Sequence, residues 1–153
     1  MKSTPIKRSE SLKPLSREHH HGLLLSWKIK TGLKKSISLD RIKNYAVWFF
    51  ENSLKHHFKN EEEFVFPILG NSHPLIIQAI SEHRELERLI KDDIDVLASL
   101  HSVAELIEKH IRFEERELFN EVEKILTDKE INLINKYHED INELETYEDE
   151  FWK

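Results

Sequence analysis

Two long stretches of this chain repeat one string, and neither holds a helix-breaking residue before its end. Asp40 stands 17 residues before His57, and Asp93 stands 17 before His110. His57 opens His-x-x-x-Glu61-Glu62 with Phe66 nine residues on, and His110 opens His-x-x-x-Glu114-Glu115 with Phe119 at that same offset. The whole chain has three Gly and four Pro, two of those Pro within the first fourteen residues, so its body favours long helices. No segment alternates apolar and polar residues for long, and no strand is expected. The fold class that follows is all-α: an up-down-up-down four-helix bundle with pseudo-twofold halves and a short fifth, C-terminal helix.

Residues 1–14 are polar and rich in Ser and Lys, and read as a flexible arm. The bundle is expected over 15–126. Ser16 is the expected N-cap of a first helix over 17–33. Asp40 should cap the second, which Pro67 and Gly70 should stop. Asn71-Ser72-His73-Pro74 starts the third, running to about Lys91. Asp92-Asp93 open the fourth, which ends near Leu126. Residues 127–153 form a helix capped by Thr127, expected over 128–144, and an acidic tail bearing Tyr147, Phe151 and Trp152.

Residues four apart share one helix face. Helical steps from His57 meet Val47, Phe50, Leu54, Phe64 and Val65, so His57 and Glu61 lie in an apolar stripe. Steps from His110 meet Val103, Leu106, Ile107 and Leu118, placing His110 and Glu114 alike. His101 lies half a turn out of phase, and His101/Glu105 reads as a surface pair. An inward carboxylate is costly unless paired or metal-bound. Two His–Glu pairs at matching heights share one cause if metal ions sit between them; the alternative is two buried ion pairs. The third helix adds His83, in phase with Ile76, Ile80, Leu86 and Ile90. In the first, His20 has the best phase, with Leu23, Leu24 and Trp27 following it; His19, four after Leu15, is the close alternative. The candidate ligands are therefore His20 (or else His19), His57, Glu61, His83, His110 and Glu114. Each metal would take two His, with both Glu bridging. This donor set suits iron before manganese or zinc. Glu62, Glu115 and Glu87 are candidates to orient the imidazoles. His21, His56, His73 and His138 are left as structural or exposed, with His73 also placed to start a helix.

Composition narrows the rest. There are ten His and no Cys, which removes disulfides, thiolate metal sites and thiol nucleophiles. A net charge of −6 disfavours nucleic acid. Residues 1–15 are basic without an apolar run, and no stretch approaches a membrane span; a cytoplasmic setting is expected.

At these residues the chain resembles the hemerythrin-like family, also called the His-His-Glu cation-binding domain. The strings that carry the likeness are LSREHHHGLLL, LKHHFKNEEEFVFP, ISEHRELERLI and EKHIRFEERELF, spanning about 15–126. The resemblance implies a four-helix bundle around an oxo- or hydroxo-bridged di-iron centre. His57, Glu61, His83, His110 and Glu114 match the family's ligand pattern, and His20 or His19 its first position. Oxygen-carrying members have a further His one turn from the third-helix ligand, where this chain has Ala79 and Glu87. It is thus similar to the four-His branch, linked to O₂ or NO sensing, iron handling and repair of nitrosatively damaged iron centres.

The leading expectation is a non-haem di-iron binding protein that meets O₂, NO or a related small oxidant behind an apolar lining of Phe50, Leu54, Val103 and Ile107. One alternative is a di-iron enzyme acting as an oxidase, peroxidase or NO-consuming catalyst, although no Tyr or Cys is placed as a radical or nucleophile. Another is a metal-free helical interaction module using the tail aromatics, for which packing back onto the bundle is the favoured place.

Overall fold

The computed structural model describes residues 12–138 and 146–153, and the side chains of 135–138 are left aside. Of the arm expected over 1–14, residues 1–11 lie outside the described residues, as does the end of the fifth helix; Leu12 is buried and Lys13 and Pro14 already belong to the first helix. Among those described, every regular element is helical. Helix α1 is Lys13–Lys34, α2 spans 39–69, α3 is Pro74–Lys91, α4 spans 96–125 and α5 is Asp128–His138. Turns this short make sequential helices antiparallel, and the result is the up-down-up-down bundle with a short fifth helix.

The helix ends are built by local chemistry, not always where the sequence suggested. Helix α1 starts before Ser16, on Pro14 in its first turn, where a missing N–H costs nothing. It ends as Ser36 turns left-handed (φ 57°) and Ile37 N–H donates to Gly32 O at 3.0 Å. Ser38 is the N-cap of α2, and Asp40 sits in the first turn. Pro67 does not stop α2. A π-helical turn, Glu61–Val65, precedes it, and Pro67 falls at the start of the last short α segment; Gly70 (φ 95°) makes the stop. His73 caps α3, its Nδ1 accepting from Leu75 N–H at 3.1 Å. Helix α4 is capped by Asp95, which accepts from Ala98 N–H at 3.1 Å; Asp92 instead ties the turn by accepting from Ser99 Oγ at 2.7 Å. Thr127 and Glu130 form a reciprocal capping box at α5.

Two further π turns interrupt the ladders, Phe50–Leu54 in α2 and Glu114–Leu118 in α4. The turns at Glu61 and Glu114 occupy equivalent positions in the two halves. Such turns shift the phase of the following residues and occur often at functional sites.

The apolar core is split in two. One cluster holds Leu25, Ile29, Ile42, Phe49, Val103 and Phe151. The other holds Leu15, Phe66, Ile76, Leu118, Phe119 and Val122. Each fully buried Leu, Ile or Phe contributes about 1.5–3 kcal/mol. Buried His and Glu side chains lie between the clusters. The tail returns to the first cluster: Phe151 is 2% exposed, and the Tyr45 ring lies 5.0 Å from that of Tyr147 and 5.2 Å from that of Trp152. Arg41 donates to Asp149 at 2.6 and 3.0 Å. The tail aromatics thus pack on the bundle.

Candidate metal centre

Six side chains from four helices meet in the polar layer. His19 comes from α1, His57 and Glu61 from α2, His83 from α3, and His110 and Glu114 from α4; all are buried, both glutamates completely. Their donor atoms form two groups, each within 4.8 Å: His19, His57, Glu61 and Glu114 in one, Glu61, His83, His110 and Glu114 in the other. The glutamates belong to both. His57 Nε2 and His83 Nε2 lie 3.3 and 3.2 Å from Glu61 Oε1. His110 Nε2 and His19 Nε2 lie 3.3 and 2.9 Å from Glu114 Oε1.

The preference for His20 is corrected. His20 is exposed and His19 is 5% exposed. Its supposed apolar companions are on the outside too, with Leu23 at 38% and Trp27 at 53% exposure. The inward stripe is Leu15, His19, Gly22, Leu25, Ser26, Ile29 and Gly32. The positions three and seven after His19 are small because α1 lies close against α4: Ser26 Oγ donates to Ala104 O at 2.7 Å, and Ile111 fills the space over Gly22.

Each imidazole turns its Nδ1 to a carboxylate of a neighbouring helix. His19 Nδ1 is 2.7 Å from Glu115, His83 Nδ1 2.8 Å from Glu62, and His110 Nδ1 2.7 Å from Glu82. His57 Nδ1 is 3.3 Å from Glu18. The pattern obeys the pseudo-twofold: α1 pairs with α3, and α2 with α4. An ionised carboxylate only accepts, so the hydrogen bonds of His19, His83 and His110 place a proton on Nδ1 and leave Nε2 facing the centre; His57 Nδ1 approaches Glu18 Oε1 without hydrogen-bond geometry. Glu62 and Glu115 thus hold imidazoles as the sequence suggested. Glu87 does not; it accepts from Lys91 Nζ at 3.2 Å on the surface. Glu18 and Glu82 were missed. Their one signal was the repeated Glu-His dipeptide, Glu18-His19 and Glu82-His83. Among the other histidines, His21, His56 and His101 are exposed.

Electrostatics bind the layer together. Burial alone would push the imidazoles down, but the carboxylates outweigh it. Glu61 and Glu18 hold His57 at about 9, and His19, His83 and His110 are also raised. Burial and the neighbouring Glu114 would push Glu61 up, yet His57 and His19 bring it to about 2. Glu114 is held well below its ordinary value by His110, His19 and His83, again against burial. Hydrogen bonding is nonetheless incomplete. His57 Nδ1 and Nε2, Glu18 Oε1, His83 Nε2, His110 Nε2, both Glu61 oxygens and Glu114 Oε2 are buried without a hydrogen-bond partner.

Beside the layer is a small cavity, about 10 Å³ for the centre of a water-sized molecule. Its walls include Gly22, Leu54, Ile107 and Ile111, with His19, His57 and His110 at its polar side. Leu54 and Ile107 therefore line it as expected, whereas Phe50 and Val103 lie in the adjoining core.

A helical bundle with inward His and Glu from four helices, each His backed by a carboxylate, has the form of a metal-binding bundle protein. Residues 15–122 match the Hemerythrin HHE cation binding domain, and the chain belongs to that family. No curated protein and no solved structure matches the chain. Among the described residues no helix is long and apolar enough to cross a membrane.

Proposed function

We propose that the chain holds two metal ions, iron in the first place, and presents them to a small oxidant such as O₂ or NO. His19, His57, His83 and His110 would each give Nε2, and Glu61 and Glu114 would serve both ions. The observation that carries this reading is the set of buried Nε2 and carboxylate atoms with no hydrogen-bond partner. In a metal-free ion-pair network those atoms face one another at 3.2–3.7 Å without hydrogen-bond geometry, and a buried polar atom left without a hydrogen bond costs about 1–3 kcal/mol. Their chemistry, imidazole nitrogen with carboxylate oxygen, suits iron and excludes sulfur-dependent sites.

Bound iron would supply redox chemistry and an exchangeable coordination position. The chain's own residues do the rest. Glu62, Glu82 and Glu115 hold the rings of His83, His110 and His19 and keep a proton on Nδ1, and Glu18 stands beside His57. Leu54, Ile107 and Ile111 limit water, and the cavity they wall, about 10 Å³ for the centre of a water-sized molecule, has room for one very small molecule. Its apolar walls favour an uncharged ligand.

The test is metal content and the near-ultraviolet spectrum of protein expressed with iron, beside a His57→Ala/His110→Ala variant. About two irons per chain, lost in the variant, with a reversible spectral response to anaerobic NO, supports the reading. A colourless, metal-free and equally stable wild type overturns it. Steady catalytic consumption of NO or peroxide would favour an enzyme instead.

A further inference from the structure

The halves carry the same His and Glu at every equivalent position of the layer and an aliphatic residue at Leu54 and Ile107 in the wall above, yet differ at two places that bear on the cavity. Three residues after the α1 and α3 histidines stand Gly22 and Leu86. One residue after the α2 and α4 histidines stand Phe58 and Ile111. On the α3 side the space is filled. Phe58 stacks on His83 with centroids 3.9 Å apart and planes at 9°, and Leu86 is fully buried. On the α1 side it is not. The cavity is walled by residues of α1, α2 and α4, and by none of α3.

Gly22 is not required by the backbone, because among the described glycines only Gly70 has positive φ. A glycine inside a helix costs about 1 kcal/mol relative to alanine. Space accounts for it instead. A Cβ on Gly22 would stand 2.6 Å from Ile111 Cδ1 and 3.6 Å from Ile107 Cγ1, and both residues are cavity walls. Any side chain there pushes Ile111 into the cavity or away from it.

We infer that Gly22, through Ile111, is a specificity-determining residue: it keeps open a small cavity on the α1 side of the layer, bounded on its far side by Phe58, where Leu86 stands at the equivalent position by α3. This rests on the reading that a small ligand meets the site, but the cavity itself can be tested without metal. Xenon is a suitable probe, being apolar and of similar size. Titration of the metal-free full chain, followed by ¹²⁹Xe NMR, is expected to show saturable binding. Gly22→Ala should weaken it at least about tenfold while helicity and iron content stay at wild-type levels. Unchanged xenon affinity in that variant would mean that Ile111 swings outward, and the inference fails. If Gly22→Ala does not fold, Ile111→Phe, which copies the α3-side residue, should lose xenon; retained binding again overturns the role. A wild type that holds iron but no xenon sinks this inference alone. One that binds xenon but no metal sinks the proposed function and leaves the cavity standing.

Discussion

The middle of the bundle and its tail-bearing end are both closed to water, by opposite means. At the tail-bearing end Phe151 sits against Ile42 and Gly32, and Tyr45 gathers Tyr147, Phe151 and Trp152 around its ring. Among the described residues no buried side-chain polar atom there lacks a hydrogen-bond partner, and surface pairs such as Arg41–Asp149 lie at its edge. In the middle, six ionisable side chains are as deeply buried, and several of their polar atoms have no hydrogen-bond partner. The first region is explained by stability alone. The second costs stability unless something completes it, which is how a structural core and a binding site are told apart without a bound ligand.

Four experiments press on this contrast. Glu61→Ala should have the largest effect. It strips a carboxylate from three imidazoles, His19, His57 and His83, so metal content should fall to background. The metal-free protein should also lose about 3–5 kcal/mol in denaturant unfolding, since a buried pair is broken from one side. Phe151→Ala should lower stability by about 3 kcal/mol and leave metal content unchanged; a loss of metal there would join the two regions that the structure separates.

The third concerns pH. His57 is raised to about 9, so its contribution to the metal-free protein is fully present below its ordinary 6.5 and is lost as pH rises through 9. Glu61 is lowered to about 2, so its contribution is present above 4.5 and is lost as pH falls towards 2. Thermal unfolding of the metal-free protein should therefore peak between 4.5 and 6.5. Metal-loaded protein should not weaken over 6.5 to 9, because imidazoles must shed protons to bind a metal. Parallel profiles would argue that no metal competes with those protons. The smallest effect belongs to Arg41→Ala: a modest loss that high salt erases, because the pair with Asp149 is exposed.

The four-helix order and the inward His–Glu pairs of α2 and α4 were readable because large apolar residues mark the buried stripe of both helices. That signal fails in α1. There the inner face is Gly22 and Ser26, chosen for close approach to α4, and the outer face carries Leu23 and Trp27. Counting apolar neighbours therefore favoured His20 over His19. Glu18 and Glu82 were hidden for another reason: their partners, His57 and His110, lie on other helices, and no periodicity within one helix reports a contact between two. The π turns at Glu61 and Glu114 leave no mark in composition, so Pro67 was taken for a stop that the widened turn avoids.

The burial of the layer bears finally on time. With His83 and both glutamates fully covered and none of the six side chains more than 5% exposed, an ion held there would be shielded from solvent by the closed fold. Its exchange would then follow the breathing of the bundle. A centre of that kind would change its contents on the schedule of the fold.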